Sequence, residues 1–398
     1  MTMTDKQKEI RGKILNELYL RGPISRKDIA RNTGITPATT TAITGELIKE
    51  GIIEANSLTD NDSKSKNRSG RKKVTLSITN YHSYYIGIEL SRHFLTLCLI
   101  NNAGEVITKQ HHKVEILNFT NDEAINYLLA VLTNCLTYYQ NLNIQAAGIA
   151  IPGHFDKQNQ RIASSAEWQK FNLSRLINEA PVPLFLENNV HCMSLYEHLI
   201  STHNKGNNFV FFHAVQGIFL SSIYNESLYG VNNFSVGEIG HTIVYPNGER
   251  CECGRYGCLQ NYLGGFNILK KAQHSYNHNQ HSLLRGLVNI SSDITLAKVA
   301  EAYRLGDTDI THIIEDAINA VVVTLNNLSM LIDTSKIYLH GPLFNDMITR
   351  HILTEYLSYK NLYQGLPDID FDIIPYEVTN GARGAAILAL SHSLIWSQ

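Results

Sequence analysis

Four side chains suited to holding a metal ion crowd into one short stretch near the middle of the chain. His241, Cys251, Cys253 and Cys258 follow the spacing H-x9-C-x-C-x4-C. One imidazole and three thiols are the donor set of tetrahedral zinc. Four protein ligands leave no open position, so the expected Zn2+ is structural. The same stretch, Gly237 to Gln260, carries Glu238 three residues before His241. On one helical turn these two share a face. If one ring nitrogen of His241 binds the metal, the other can donate outward. The segment can therefore hold a metal and also present polar groups to a ligand.

The other three cysteines, Cys98, Cys135 and Cys192, lie in apolar or helical surroundings and read as core thiols. The stretch MTMTDKQKEIRGK has no apolar core of a secretory signal, and no apolar run reaches spanning length. The expected setting is cytoplasmic, with reduced thiols and no membrane partner. Charge is unevenly placed. Residues 1–80 hold 15 Lys+Arg and 9 Asp+Glu, net +6, whereas the remainder holds 19 and 27, net −8. A basic front on an acidic body suggests that the N-terminus meets a polyanion.

The elements that must position these groups begin with a helix-turn-helix. Ile10, Ile14, Leu15 and Leu18 recur at helical spacing. Ser25 to Asp28 resembles a capping box opening a second short helix. Asn32-Thr33-Gly34 is a turn, Thr36 caps a third helix, Pro37 takes its first position, and Gly51 ends it. Two strand-like pieces, 52–55 and 74–78, flank a polar basic segment that reads as a wing. With Ile43 and Leu47 inward, Pro37, Ala38, Thr41 and Ala42 face out. Such side chains touch thymine methyls but cannot grip guanine bidentately. Arg68, Arg71, Lys72 and Lys73 would supply phosphate or narrow-minor-groove contacts. The expected partner is an A/T-rich DNA duplex.

Three consecutive strands follow, 85–90, 94–100 and 105–109, then a helix over 121–139 and an apolar strand over 146–151 ending in Pro152-Gly153. Another strand, 183–186, ends in Glu187-Asn188-Asn189. Strands over 210–214 and 218–224 start a second set, which continues through the cysteine segment to a strand over 336–339. Repetition of this pattern gives an α/β fold in two halves. Ligands in such folds sit at the C-terminal ends of strands, between the halves.

At these residues the chain resembles the ROK family of repressors, open reading frames and kinases. The resemblance rests on Gly237-Glu-Ile-Gly-His241 followed by Cys-x-Cys-Gly-x-x-Gly-Cys. Ile149 to Gly153, Leu186 to Asn189 and Gly381 to Ala386 extend it. It covers roughly residues 84–398, and the winged helix-turn-helix in front marks the repressor branch, whose members answer to xylose, N-acetylglucosamine or glucose. It implies a two-lobed actin-like, sugar-kinase ATPase (RNase H-like) fold behind the head. The implied domains are 1–80, the winged helix-turn-helix; 81–190, the first lobe, with about 381–398 returning to it; and 191–380, the second lobe, with a zinc loop over 241–258.

The resemblance also implies residue roles. Asn188, Asn189, Glu238 and His241 would hydrogen-bond sugar hydroxyls, Gly153 would let the backbone approach the ligand, and Trp168 is placed in either the core or the pocket. Gln260 stands where family kinases carry Glu. Asn189 stands where they carry the Asp that takes the sugar proton, and a carboxamide cannot do so at neutral pH. The two phosphate loops, Glu89-Leu-Ser-Arg-His93 and Val215 to Ser221, have lost most of the glycines that bring backbone amides to phosphate, and near the adenosine site the usual run of glycines has become His340-Gly-Pro342. No ATP binding and no phosphoryl transfer are expected. The expected protein is a sugar-responsive repressor on a palindromic operator, acting as a homodimer or tetramer. The alternatives are a bifunctional sugar kinase with a DNA-binding head, and a regulator controlled by a protein partner.

Overall fold

The computed structural model describes residues 4–57, 74–164, 166–201, 208–345, 350–351, 353–355 and 370–396. The chain divides into two compact units, Met1–Lys205 with Val378–Gln398, and Gly206–Glu377.

The first unit opens with α1 (Asp5–Arg21), α2 (Arg26–Thr33) and α3 (Pro37–Lys49), then β1 (Ile53–Ser57) and β2 (Val74–Ile78), which pair antiparallel. The caps are those expected. Thr36 Oγ1 accepts from Thr39 N at 3.3 Å with Pro37 in the first turn, and Ser25 Oγ accepts from Asp28 N at 3.3 Å. Gly34 takes φ +70°, the left-handed conformation that a bulkier residue resists. Ile14, Leu15, Ile29 and Leu47 are fully buried and knit the three helices together. The Arg11 guanidinium forks onto both carboxylate oxygens of Glu50, tying α1 to the end of α3.

Behind the head lies a five-stranded sheet in the order β5-β4-β3-β6-β9. Its strands are β3 (Tyr84–Leu90), β4 (Phe94–Asn101), β5 (Val106–Lys113), β6 (Ile144–Ile151) and β9 (Leu184–Asn188). A small hairpin, β7 (His154–Asp156) and β8 (Arg161–Ala163), sits between β6 and β9. β3 runs parallel to β6 and antiparallel to β4. One face, with Ile86, Ile88, Leu97 and Ile149, packs on α4 (Asn121–Tyr138) through Ile125, Leu128 and Leu132. The other face takes the C-terminal helix, Asn380–Leu390. A Cβ on Gly87 would strike the Ala382 carbonyl and the Ala386 amide, and one on Gly148 would strike the Ala385 carbonyl. Helix and sheet approach this closely because Gly87 and Gly148 lie under Ala382, Ala385 and Ala386, which accounts for the small residues of the Gly381 to Ala386 stretch. Trp168 is 6% exposed and tilts against Phe171 with ring centroids 5.8 Å apart. Trp168 is therefore a core side chain.

Two of the contacts that seat the head on the rest of this unit come from α1. Tyr19 donates its hydroxyl to the Asn102 carbonyl at 2.5 Å. Gly12 of α1 lies against the carbonyl of Ile395, in the π-helical turn Ser391–Ile395 that ends the C-terminal helix. A Cβ at residue 12 would collide with that oxygen.

The second unit repeats the sheet plan, in the order β12-β11-β10-β13-β14. Its strands are β10 (Phe209–Ala214), β11 (Ile218–Tyr224), β12 (Ser227–Leu228), β13 (Lys336–His340) and β14 (Phe371–Ile374). Here β10, β13 and β14 are parallel. The long helix Thr308–Leu331 buries Ile310, Ile314, Ala317, Val321, Leu325 and Leu328 at three- and four-residue spacing. No described helix is long and apolar enough to cross a membrane.

Candidate metal centre and ligand-binding groups

The cysteine segment folds as a knuckle. Cys251 N donates to the Arg255 carbonyl at 2.7 Å and Gly254 N to the Cys251 carbonyl at 2.9 Å. Gly254 (φ +88°) and Gly257 (φ +70°) supply the left-handed turns. The ligand atoms of His241, Cys251, Cys253 and Cys258 all lie within 4.8 Å of one another. Cys253 Sγ is 3.6 Å from Cys258 Sγ, and His241 Nδ1 is 3.6 Å from Cys251 Sγ. Metal–sulfur bonds of about 2.3 Å at tetrahedral angles set sulfur–sulfur edges near about 3.8 Å. The donor set and its spacing fit a metal ion. Burial opposes ionisation of Cys253, but hydrogen bonds from Arg255 and the other thiols prevail and bring it down to about 6. Burial pushes Cys258 up to about 12 and raises Cys251 as well. Three adjacent thiols do not ionise together unless a cation sits among them.

His241 turns Nδ1 to this cluster, so Nε2 points away from it, the division of the ring that the sequence requires. Glu238 is the N-cap of the single 3-10 turn Ile239–His241, and His241 N donates to the Glu238 carbonyl at 3.1 Å. Gly237 leads into this turn at φ +96°, with the Phe219 ring and the Leu220 carbonyl where a side chain would go. Gln260 is used differently from a group open to a sugar. Its Oε1 accepts from Ile218 N at 3.1 Å and its Nε2 donates to the Gln216 carbonyl at 2.9 Å. The amide braces the turn between β10 and β11 and is 8% exposed.

In the first unit, Asn188 ends β9 and caps the helix Asn189–Leu199. Its Oδ1 accepts from Val190 N at 2.8 Å and His191 N at 3.2 Å, and its Nδ2 donates to the Gly153 carbonyl at 2.9 Å. It is 1% exposed, so its polar atoms serve the backbone. Gly153 sits at φ +87°, where a Cβ would lie 2.5 Å from that of Ser164. Asn189 is half-buried and donates Nδ2 to Glu89 Oε1 at 3.4 Å. Burial pushes the Glu89 carboxyl up to about 7, against hydrogen bonds from Asn189 and the Gly381 amide. Sequence reasoning missed a second pair. His191 Nδ1 lies 3.0 Å from Glu187 Oε1, with the histidine buried and the carboxylate partly so. The i,i+4 spacing of Glu187 and His191 was its signal.

On α3, Pro37, Ala38, Thr41 and Ala42 are exposed, while Thr40, Ile43, Thr44 and Leu47 are buried. Thr41 donates its hydroxyl to the Pro37 carbonyl at 2.8 Å. Arg68, Arg71, Lys72 and Lys73 lie outside the described residues.

The sequence pattern of the ROK family matches residues 85–392, and that of a winged helix-turn-helix DNA-binding domain matches residues 7–54. The chain belongs to the ROK family. Among curated relatives, the xylose repressor of Bacillus spizizenii is 27% identical over 89% of this chain and 89% of its own. The Escherichia coli dual regulator NagC is 24% identical over 81% of this chain and 77% of its own. A solved ROK family transcriptional regulator, described as a homologue of the E. coli Mlc protein, superposes with a TM-score of 0.79 at 21% identity. That match covers 98% of this chain and 97% of the other. A ROK family glucokinase from Streptomyces griseus, in complex with glucose and AMPPNP, superposes with a TM-score of 0.65 at 19% identity, over 77% and 99% of the two chains. These likenesses establish the ROK fold.

His340, in one of the segments that the resemblance places at a nucleotide site, pairs with a histidine on the neighbouring strand. His213 and His340, on β10 and β13, meet Nδ1 to Nδ1 at 2.8 Å with rings stacked 5.0 Å apart. One ring donates and the other accepts, so the two cannot both be protonated. Burial pushes His213 down to about 4. An unfolded imidazole takes its proton near about 6.5. The pair therefore contributes its full stability above that pH and loses it as pH falls toward 4, by about 3 kcal/mol in all. Denaturant unfolding followed between these limits should show this acid slope, and His213→Gln should flatten it. A wild-type midpoint that does not move with pH would contradict the assignment.

Proposed function

We propose that this ROK protein is a transcriptional repressor whose affinity for an A/T-rich, two-fold symmetric operator is set by a sugar. The observation that carries this reading is joint coverage. A winged helix-turn-helix and a ROK region occur together, and the match to a relative named xylose repressor runs over 89% of both chains. The exposed Pro37, Ala38, Thr41 and Ala42 offer methyl and hydroxyl contacts to thymine-rich edges in the major groove. Arg68, Arg71, Lys72 and Lys73 carry the charge for phosphate. The working form is a homodimer or a tetramer, since a palindrome is read by symmetric heads.

In this reading Asn189 in the first unit, and Glu238 and the outward Nε2 of His241 in the second, are each candidate partners for sugar hydroxyls. Asn188, Gly153 and Gln260 hold the backbone around them. A structural Zn2+ on His241, Cys251, Cys253 and Cys258 fixes the loop. The chain runs no phosphoryl transfer, because Asn189 cannot act as base and the phosphate segments lack their glycines. Sugar acts on DNA binding only through a difference in affinity between two arrangements of the protein. The test is operator selection from random duplexes, then competition of the selected duplex with a panel of free and phosphorylated sugars, with and without ATP. One class of sugar should release or tighten the operator at ATP-independent affinity. G/C-rich selected sites would overturn the facing of α3. Turnover of ATP would favour the bifunctional kinase, and indifference to every sugar would favour a protein partner as effector.

A further inference from the structure

The helix Gly265–His278 carries a second cluster of imidazoles that the cysteine centre does not use. His274 and His278 stand one turn apart and are exposed, and their rings stack with centroids 4.1 Å apart at 25°. His278 Nδ1 lies 2.9 Å from the His274 carbonyl oxygen. A carbonyl only accepts, so Nδ1 carries the proton and the lone pair is on Nε2. This is the arrangement by which metal-binding histidines are usually fixed in one tautomer. His281 and Asp309 line the same open depression. The Asp309 Oδ2 takes Ser275 Oγ at 2.6 Å and Asn279 Nδ2 at 2.9 Å, and these bonds hold its carboxyl below the usual range. His312 also faces Asp309.

We propose that His274 and His278 form a bidentate chelate for a borderline divalent transition-metal ion, with the Asp309 carboxylate supplying negative charge beside it. Two histidines at i and i+4 present their nitrogens to one point beside the helix. Neutral imidazole suits zinc, nickel and copper rather than magnesium or calcium. Two merely solvated imidazoles share the spacing, but they need neither the fixed tautomer nor a carboxylate held in place by residues 275 and 279. Asp309, at the start of the helix Thr308–Leu331, is already tied to this helix through Ser275 and Asn279.

The test uses the full chain with zinc already loaded at the cysteine centre, titrated with nickel chloride at pH 7.5 in a calorimeter. Wild type should take up one nickel ion per chain. His274→Ala and His278→Ala should each weaken uptake by roughly tenfold or more, and the double variant should abolish it. Alanine is the best helix former, so the variants keep the helix, and unchanged circular dichroism checks this. No nickel uptake by wild type, or unchanged uptake by the folded double variant, would overturn the chelate.

Discussion

A chain carrying Cys258→Ser should be recovered without zinc and with the loop from Gly237 to Leu263 unfolded. Cys258 is fully buried, 3.6 Å from Cys253, and its backbone bridges to Ile243. A serine hydroxyl does not ionise at neutral pH and cannot replace the thiolate. Structural zinc supplies about 10–16 kcal/mol in small domains that depend on it, and losing one of four ligands forfeits much of that. Metal analysis of the purified protein should fall from one zinc per chain to none. The thermal transition of the second unit should broaden and move down. Because the turn Ile239–His241 is held by the same loop, the sugar response should go with it, while operator binding by α3 should survive. Retention of one zinc by the variant would mean that Cys258 is not a ligand.

Glu238→Ala should weaken the sugar response by a different route, with zinc still bound. A hydrogen bond from a hydroxyl to a carboxylate contributes about 1.5–3 kcal/mol, so sugar affinity should fall by roughly 10- to 100-fold. Glu238→Gln keeps an acceptor and should recover part of it. Sugar-induced thermal stabilisation is the readout, since a ligand at a hundred times its Kd stabilises by about 2.7 kcal/mol. Comparing the two variants separates the roles of the loop: Cys258→Ser loses metal and response, Glu238→Ala weakens the response alone. Wild-type stabilisation by sugar in Glu238→Ala would remove this carboxylate from the site.

The parts of this fold that local chemistry decides could be read directly. Thr36 and Pro37 open α3 as their residue types require, and the exposed side of α3 followed once Ile43 and Leu47 were placed inward. The antiparallel strands of each sheet, and the crowding of His241 with the three cysteines, were legible in the same way. What escaped depends on partners distant in the chain. Nothing near Gln260 shows that its amide is taken by the backbone of residues 216 and 218. Nothing near Trp168 tells a sugar platform from a core ring packed on Phe171. The hairpin of β7 and β8 and the edge strand β14 are three and four residues long, too short for a periodic signal. The contact of Asn189 with Glu89 joins residues 100 positions apart.

The C-terminal helix sets an order of assembly. Its residues are the last of the first unit to leave the ribosome, after the whole of the second unit has been made. Until then Gly87 and Gly148 have no Ala382, Ala385 and Ala386 to cover them, and α1 has no Ile395 carbonyl against Gly12. A nascent chain interrupted before residue 380 carries its three-helix head on an unfinished sheet, with an apolar face open to proteases and to other chains. The part of the head's seat at Ile395 is thus built only at the end of synthesis.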